Sequence, residues 1–204
     1  MKETPSIFDT SVQHDNVSGK IVVGLERISE AFRSLLWEHS KTTGLSPIQI
    51  QILIFIRYHE EELCGVSYLA REFNMAKPTI SDAVKSLEHK GLLIKERSTI
   101  DSRSQILKLT LEGTQKVSTI NNFALPIVKK VDQLSEIEQL QLLDTLSKII
   151  YKLNQTGVIS IQRTCYACKY YSKSQGNHYC ELMGKPLAVS KIRMDCPEFI
   201  SKEA

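Results

Sequence analysis

Apolar residues at Ile21, Leu25, Ile28, Phe32 and Leu35 recur every three or four positions, the repeat of one helical face. The polar run HSKTTG at 39–44 is expected to end that helix. Ser46 and Pro47 then supply an N-cap and a first-turn proline. Ile50, Leu53, Ile54 and Ile56 leave the following helix little polar face, which predicts a central position. A short third helix is expected in GVSYLAREFN (65–74), capped by Ser67, with Leu69, Ala70 and Phe73 turned inward. The fourth, KPTISDAVKSLEHKG (77–91), has Pro78 in its first turn and Ile80, Val84 and Leu87 on one stripe, with Gly91 as its stop.

The period then changes. LLIKER (92–97) and QILKLT (105–110) read as two strands closed by the polar turn TIDSRS, a hairpin appended to helices. Thr110 caps a helix running toward Pro126, where it must bend or end. Ser135 with Glu138 forms a capping box. It opens a last helix with Leu140, Leu143, Leu146, Ile150 and Leu153 on one face, widened by Leu142 and Ile149. A helix apolar on more than one side needs extra cover, and a second subunit is the simplest source.

No apolar run approaches the roughly 18–20 residues that span a bilayer. The polar start MKETPSIFDTSVQHDN lacks the apolar stretch of a signal peptide, so a cytoplasmic protein without membrane contact is expected. No Gly-rich phosphate loop, HExxH or Ser-His-Asp order suggests an enzyme. Residues 1–162 carry 19 Lys and Arg against 19 Asp and Glu, whereas residues 163–204 carry 7 against 4, which puts the whole net positive charge in the tail. Residues 66–110 carry 8 basic side chains against 5 acidic ones, a mild bias suited to a phosphate-facing surface.

Three helices followed by a two-stranded wing are the winged form of the helix-turn-helix, whose second paired helix enters the major groove. With Ile80, Val84 and Leu87 facing the core, about 100° per residue places Pro78, Asp82, Lys85 and His89 opposite, with Thr79 and Ser86 beside them. Lys77, Pro78, Thr79, Ser81, Asp82, Lys85, Ser86 and His89 are therefore the candidate DNA contacts on this helix. The alternative is a merely solvated face.

DSRSQILKLTLEG (101–113) resembles the wing signature of the MarR family of bacterial regulators, an Asp-x-Arg before a strand ending in Leu-Thr-x-x-Gly. SLEHKGLL resembles that family's end of the recognition helix, and LSEIEQLQLLDTLSKI its last dimerisation helix. The resemblance covers roughly residues 17–155. It implies a homodimer on a palindromic double-stranded operator, with Arg103 as the wing-tip arginine entering the minor groove and Asp101 orienting it. Asp82 departs from the resemblance, since many relatives carry a basic residue nearby, which removes any basis for transferring a base preference.

Four of the five cysteines stand in the tail as Cys165, Cys168, Cys180 and Cys196, spaced C-x2-C-x11-C-x15-C. Four thiolates complete either a tetrahedral Zn2+ or a [4Fe–4S] cluster, and a segment of about forty residues with few aliphatics needs such a staple to fold. One CxxC, two long gaps, Cys196-Pro197 and Tyr166, Tyr170, Tyr171, Tyr179 and Phe199 nearby favour the cluster, though the aromatics also suit the mini-core of a zinc module. Disulfides and free reactive thiols are the alternatives. His178 reads as a surface residue in a Gly-Asn turn rather than a ligand, and Cys64 as a small buried apolar residue.

The expected fold class is mainly α: a winged helix-turn-helix with flanking dimerisation helices and a small C-terminal Cys-rich metal-binding module. Residues 1–16 form a flexible N-terminus, 17–155 the winged-helix and dimerisation unit, and 156–204 the metal-binding module. The expected function is a DNA-binding transcriptional regulator, a repressor acting as a homodimer. It would answer to redox state, metal or a small-molecule effector, with the state of the metal centre altering the last helices and so the spacing of the recognition helices. The competing reading is an electron-transfer or protein-docking module in which the cysteine cluster is the working part.

Overall fold

The computed structural model describes residues 6–11, 16–97, 105–174 and 176–202. Helix α1 (Val17–Thr43) starts on Asn16, whose side chain accepts from the Gly19 amide, and runs 27 residues. The stop expected at 39–44 falls on the last residue of that run: HSKTT continues the helix, because lysine, serine and threonine interrupt an apolar stripe without breaking the backbone. The stop is Gly44, in the left-handed region at φ 67°, with its N–H donating to the Ser40 carbonyl.

Helix α2 (Pro47–Tyr58) opens on the reciprocal Ser46–Gln49 capping box and buries Ile50, Ile52, Leu53, Phe55 and Ile56, the centre of the main core. Helix α3 (Val66–Glu72) begins two residues earlier than expected. Its N-cap is Gly65 with no side-chain bond, and Ser67 lies inside the helix, exposed. Asn74, in the left-handed region at φ 50°, makes the turn into helix α4 (Lys77–His89). Ile80, Ala83, Val84 and Leu87 of α4 are buried against α2 and α3.

Strands β1 (Leu93–Arg97) and β2 (Gln105–Leu109) pair antiparallel, from Leu93 opposite Leu109 to Arg97 opposite Gln105. Cys64 is buried as expected, and burial with the nearby Glu60, Glu61 and Glu62 carboxylates pushes its thiol up to about 11. Its carbonyl accepts from the Leu107 amide at 2.8 Å, fastening the wing to the helices. Thr110 caps helix α5 (Leu111–Ile120) by accepting from the Gly113 amide at 3.0 Å while donating to the Gly91 carbonyl at 2.6 Å.

The helix toward Pro126 ends at Ile120, and a separate helix α6 (Leu125–Val131) restarts with the proline in its first turn. Helix α7 (Glu136–Gln155) opens on the expected Ser135–Glu138 capping box. Its stripe is only half-buried in one chain, and Ser147 is its one fully buried residue. Ile21, Val22, Ile28 and Trp37 of α1, Leu125 and Val128 of α6, and Ile137 of α7 are all exposed. The helical frame around the winged lobe thus presents apolar surface that its own chain does not cover.

The tail folds on a second small core of Cys165, Tyr166, Cys168, Tyr171, Leu187 and Ile192. A 3-10 turn (Cys165–Ala167) leads into the antiparallel sheet β3 (Tyr171–Ser174), β4 (Asn177–Cys180) and β5 (Lys185–Leu187). Among the described residues no helix is long and apolar enough to cross a membrane.

Candidate nucleic-acid interface

Helix α4 packs by one stripe and offers the other. Lys77, Pro78, Thr79, Asp82, Lys85 and His89 are exposed, and Ser81 and Ser86 are half-buried at the stripe's edges. All eight helix candidates therefore lie on or beside the face that the core leaves open. Ala76 caps the helix without a side-chain bond, which leaves first-turn amides and the positive end of the helix free for an anionic group. Asp101 and Arg103 lie outside the described residues.

The charge on this surface is arranged more narrowly than composition suggested. Lys108 of β2 is held between Glu61 (2.9 Å) and Glu96 (3.1 Å), Lys95 of β1 sits on Glu88 (2.6 Å), and Lys90 donates to the Gly44 carbonyl (2.6 Å). These three lysines fasten the wing and the helix end. Lys85 is on the open face, paired at 3.1 Å with Asp82 one turn before it, and both side chains are well exposed. That exposed i,i+3 pair is weak and easily exchanged for a phosphate. Asp82 thus trims the positive potential of the helix and leaves Lys77, at its N-terminus, as the cation without an ion pair among the described residues.

Behind the lobe, the tail docks on a group of residues that no local sequence pattern announces. Arg163 is buried, and its guanidinium grips both Asp195 oxygens (2.6 and 2.8 Å) and both Glu72 oxygens (2.7 and 3.3 Å). It also donates to the Tyr68 hydroxyl at 2.8 Å and lies over the Phe55 ring. His59 Nε2 sits 2.8 Å from Asp195. Burial pushes the Asp195 carboxyl up, but hydrogen bonds from Arg163 and His59 outweigh burial and hold it well below the carboxylate range. Glu72 and Tyr68 belong to α3, the helix that precedes and packs against α4.

On the other side the tail rests on α7. The Ser147 hydroxyl donates to the Leu143 carbonyl and lies 3.0 Å from the Met194 sulfur, and the Tyr166 hydroxyl donates to Asp144. The four tail cysteines line one cavity, walled by Tyr170, Tyr171, Leu182, Met183 and Leu187. None of the five cysteines is paired in a disulfide. Among the described residues no group of three or more His, Cys, Asp or Glu already forms a single-ion site.

His178 corrects its sequence reading. It is buried on β4, opposite Lys173 in the strand register, and its Nδ1 is hydrogen-bonded to the Tyr171 hydroxyl. Burial, with the nearby Lys173, pushes the imidazole below its ordinary value and favours its neutral form. The turn lies one residue earlier, at Gly176 with φ 85°, and strand alternation carries His178 inward.

The geometry has known counterparts. Residues 43–104 match the model of the MarR family. The chain is 25% identical over 113 residues to an uncharacterized HTH-type transcriptional regulator, YdgJ, of Bacillus subtilis (strain 168), a match spanning 55% of this chain and 68% of that protein. The structure of S. aureus MepR in its DNA-binding conformation superposes with a TM-score of 0.59 at 22% identity, covering 65% of this chain and 98% of MepR. The regulator BldR of Sulfolobus solfataricus superposes with a TM-score of 0.52 at 24% identity, covering 67% of this chain and 99% of BldR. Nearly the whole of each solved regulator is thus matched within about two thirds of this chain. Residues 43–104 match the MarR family's model, and the fold around them is that of the winged-helix regulators.

Proposed function

We propose that the protein is a homodimeric repressor that reads a palindromic operator with α4 of each subunit in successive major grooves. The observation that carries this reading is the open face of α4, in which Lys77, Thr79, Lys85 and His89 project from a helix whose other side is fully packed. Thr79 and Lys85 suit phosphate oxygens or a guanine edge, and the uncapped N-terminus suits a phosphate. The wing would lie along the flanking backbone. One structure in the comparison is a complex of S. aureus MepR with DNA, which supports this use of the shared fold.

Dimerisation is supported by the apolar surface of α1, α6 and α7 that one chain leaves bare. An isologous interface would cover that surface and fix the distance between the two α4 helices.

Footprinting across the DNA upstream of the protein's own gene tests both parts. The expected result is two protected half-sites whose centres lie about 10 bp apart, or a multiple of that. A single isolated half-site would contradict the dimer, and no protection at micromolar protein would contradict the operator.

A further inference from the structure

We infer that Cys165, Cys168, Cys180 and Cys196 hold one [4Fe–4S] cluster, and that the Arg163 clamp makes the DNA-reading helix pair respond to its presence. The second half rests on the proposed DNA reading; the first does not.

The cluster assignment starts from convergence. Residues up to 31 positions apart bring all four thiols to one cavity. Cys165 and Cys168 flank a 3-10 turn in which the Cys168 amide donates to the Cys165 carbonyl at 3.0 Å. Cys180 ends β4, and Cys196 opens the turn closed by the Phe199 amide. A zinc ion at about 2.3 Å from each sulfur would draw four thiolates into one tight tetrahedron. The four thiols open onto one shared cavity, which offers the four corners that a cubane cluster requires.

The walls suit a cluster too. Tyr170, Tyr171, Leu182, Met183 and Leu187 give the cavity largely apolar walls. The Arg193 amide donates to the Cys165 sulfur at 3.3 Å and its guanidinium to the Cys196 sulfur at 3.5 Å, contacts that favour thiolate ligands and tune a cluster. Ligation takes a proton from each of the four thiols. It would replace the bond that Cys196 now donates to Glu198 (3.2 Å), leaving Glu198 to Arg193 at 2.7 Å.

The coupling follows from adjacency in the chain. Arg163 lies two residues before Cys165, and Asp195 immediately precedes Cys196. The two segments are bridged at Arg163 and Asp195, with the Cys196 amide donating to the Arg163 carbonyl at 3.1 Å. A cluster that holds Cys165 and Cys196 together therefore holds Arg163 against Asp195, and through it Glu72 and Tyr68 of α3. Without the cluster only the clamp's own ion pairs and the Cys196–Arg163 backbone bond tie the two segments, so the hold on α3 weakens.

The test is anaerobic purification of the full chain, with iron, acid-labile sulfide and zinc measured per chain. The expected result is a brown protein with about four irons and four sulfides per chain, restored after chelation by ferrous and ferric iron in equal amounts with sulfide. Cys165→Ser with Cys180→Ser abolishes it, whereas Cys64→Ser leaves it intact. Colourless protein carrying stoichiometric zinc, or neither metal, overturns the assignment whether or not the variants fold. Operator affinity of loaded and stripped protein is then compared, with a change of about tenfold expected. Equal affinity overturns the coupling alone. No DNA binding by either form, with the iron and sulfide present, overturns the proposed function and leaves the cluster standing.

Discussion

Gly113→Ala is expected to destabilise the winged lobe by about 3 kcal/mol, at the upper end of the range for inserting one carbon into a packed interior. A Cβ at position 113 would lie 1.9 Å from the Leu92 carbonyl oxygen and 2.9 Å from its carbon. Both are backbone atoms, so no side chain can rotate aside. Helix α5 would have to move off the base of the wing, pulling buried Val117 and Ile120 from the core that they share with α2. Alanine's better helix propensity returns only about 1 kcal/mol. Gly24→Ala is the control of opposite sign. In α1 a Cβ there meets nothing within 4 Å, so the same propensity should stabilise the protein by about 0.5–1 kcal/mol. Thermal melts of the two variants should shift in opposite directions, and a Gly113→Ala melt at or above wild type would show that the close approach is not required.

Arg163→Ala is the second large effect, expected to destabilise by about 2–3 kcal/mol and to loosen the tail from α3. Removing one partner of a buried ion pair typically costs about 3–5 kcal/mol because the other charge is left behind. The Arg163 side chain is 9% exposed and Glu72 19%, but Asp195 is 47% exposed, so solvent screens that half of the clamp and the figure is discounted. The pH sign follows from Asp195. Its folded value lies below the ordinary one, so its contribution is fully present above a pH of about 4 and falls away as pH drops further. The gap between wild-type and Arg163→Ala melting temperatures should therefore narrow below about pH 4. A gap that widens in acid would contradict the ion-pair account.

These two positions also show what a linear reading of the chain reaches. The α4 stripe was legible because Ile80, Val84 and Leu87 repeat with the helical period and the core takes that face. The capping boxes at Ser46 and Ser135 were legible because each bond spans three residues. Gly113 stood in the wing signature, and its role proves structural: it lets α5 meet the wing's first strand. The end of α1 was legible only to within the run HSKTTG, because the stop is its glycine and no residue breaks the helix before Gly44.

Arg163 escaped notice for a different reason. Its partners Tyr68, Glu72 and Asp195 lie 95, 91 and 32 residues away, and no periodicity links them. The one available signal was indirect: an arginine two residues before the first tail cysteine and an aspartate one before the last. His178 was misplaced because the Gly-Asn turn was set one residue late, which in a strand reverses inside and outside. The convergence of the four thiols, whose spacing was plain, depends on a three-stranded sheet that only the fold supplies.

The central claim is that α4 presents its open face to duplex DNA, and the salt dependence of binding tests it most directly. Fluorescence anisotropy with upstream duplex should give a complex whose log affinity falls linearly with log salt. Lys77→Ala and Lys85→Ala should each flatten that slope by about 2 for a dimer, roughly 0.9 per lost phosphate contact in each lobe. Binding that ignores salt, or a slope unchanged in the Lys77→Ala, Lys85→Ala double variant, would contradict it.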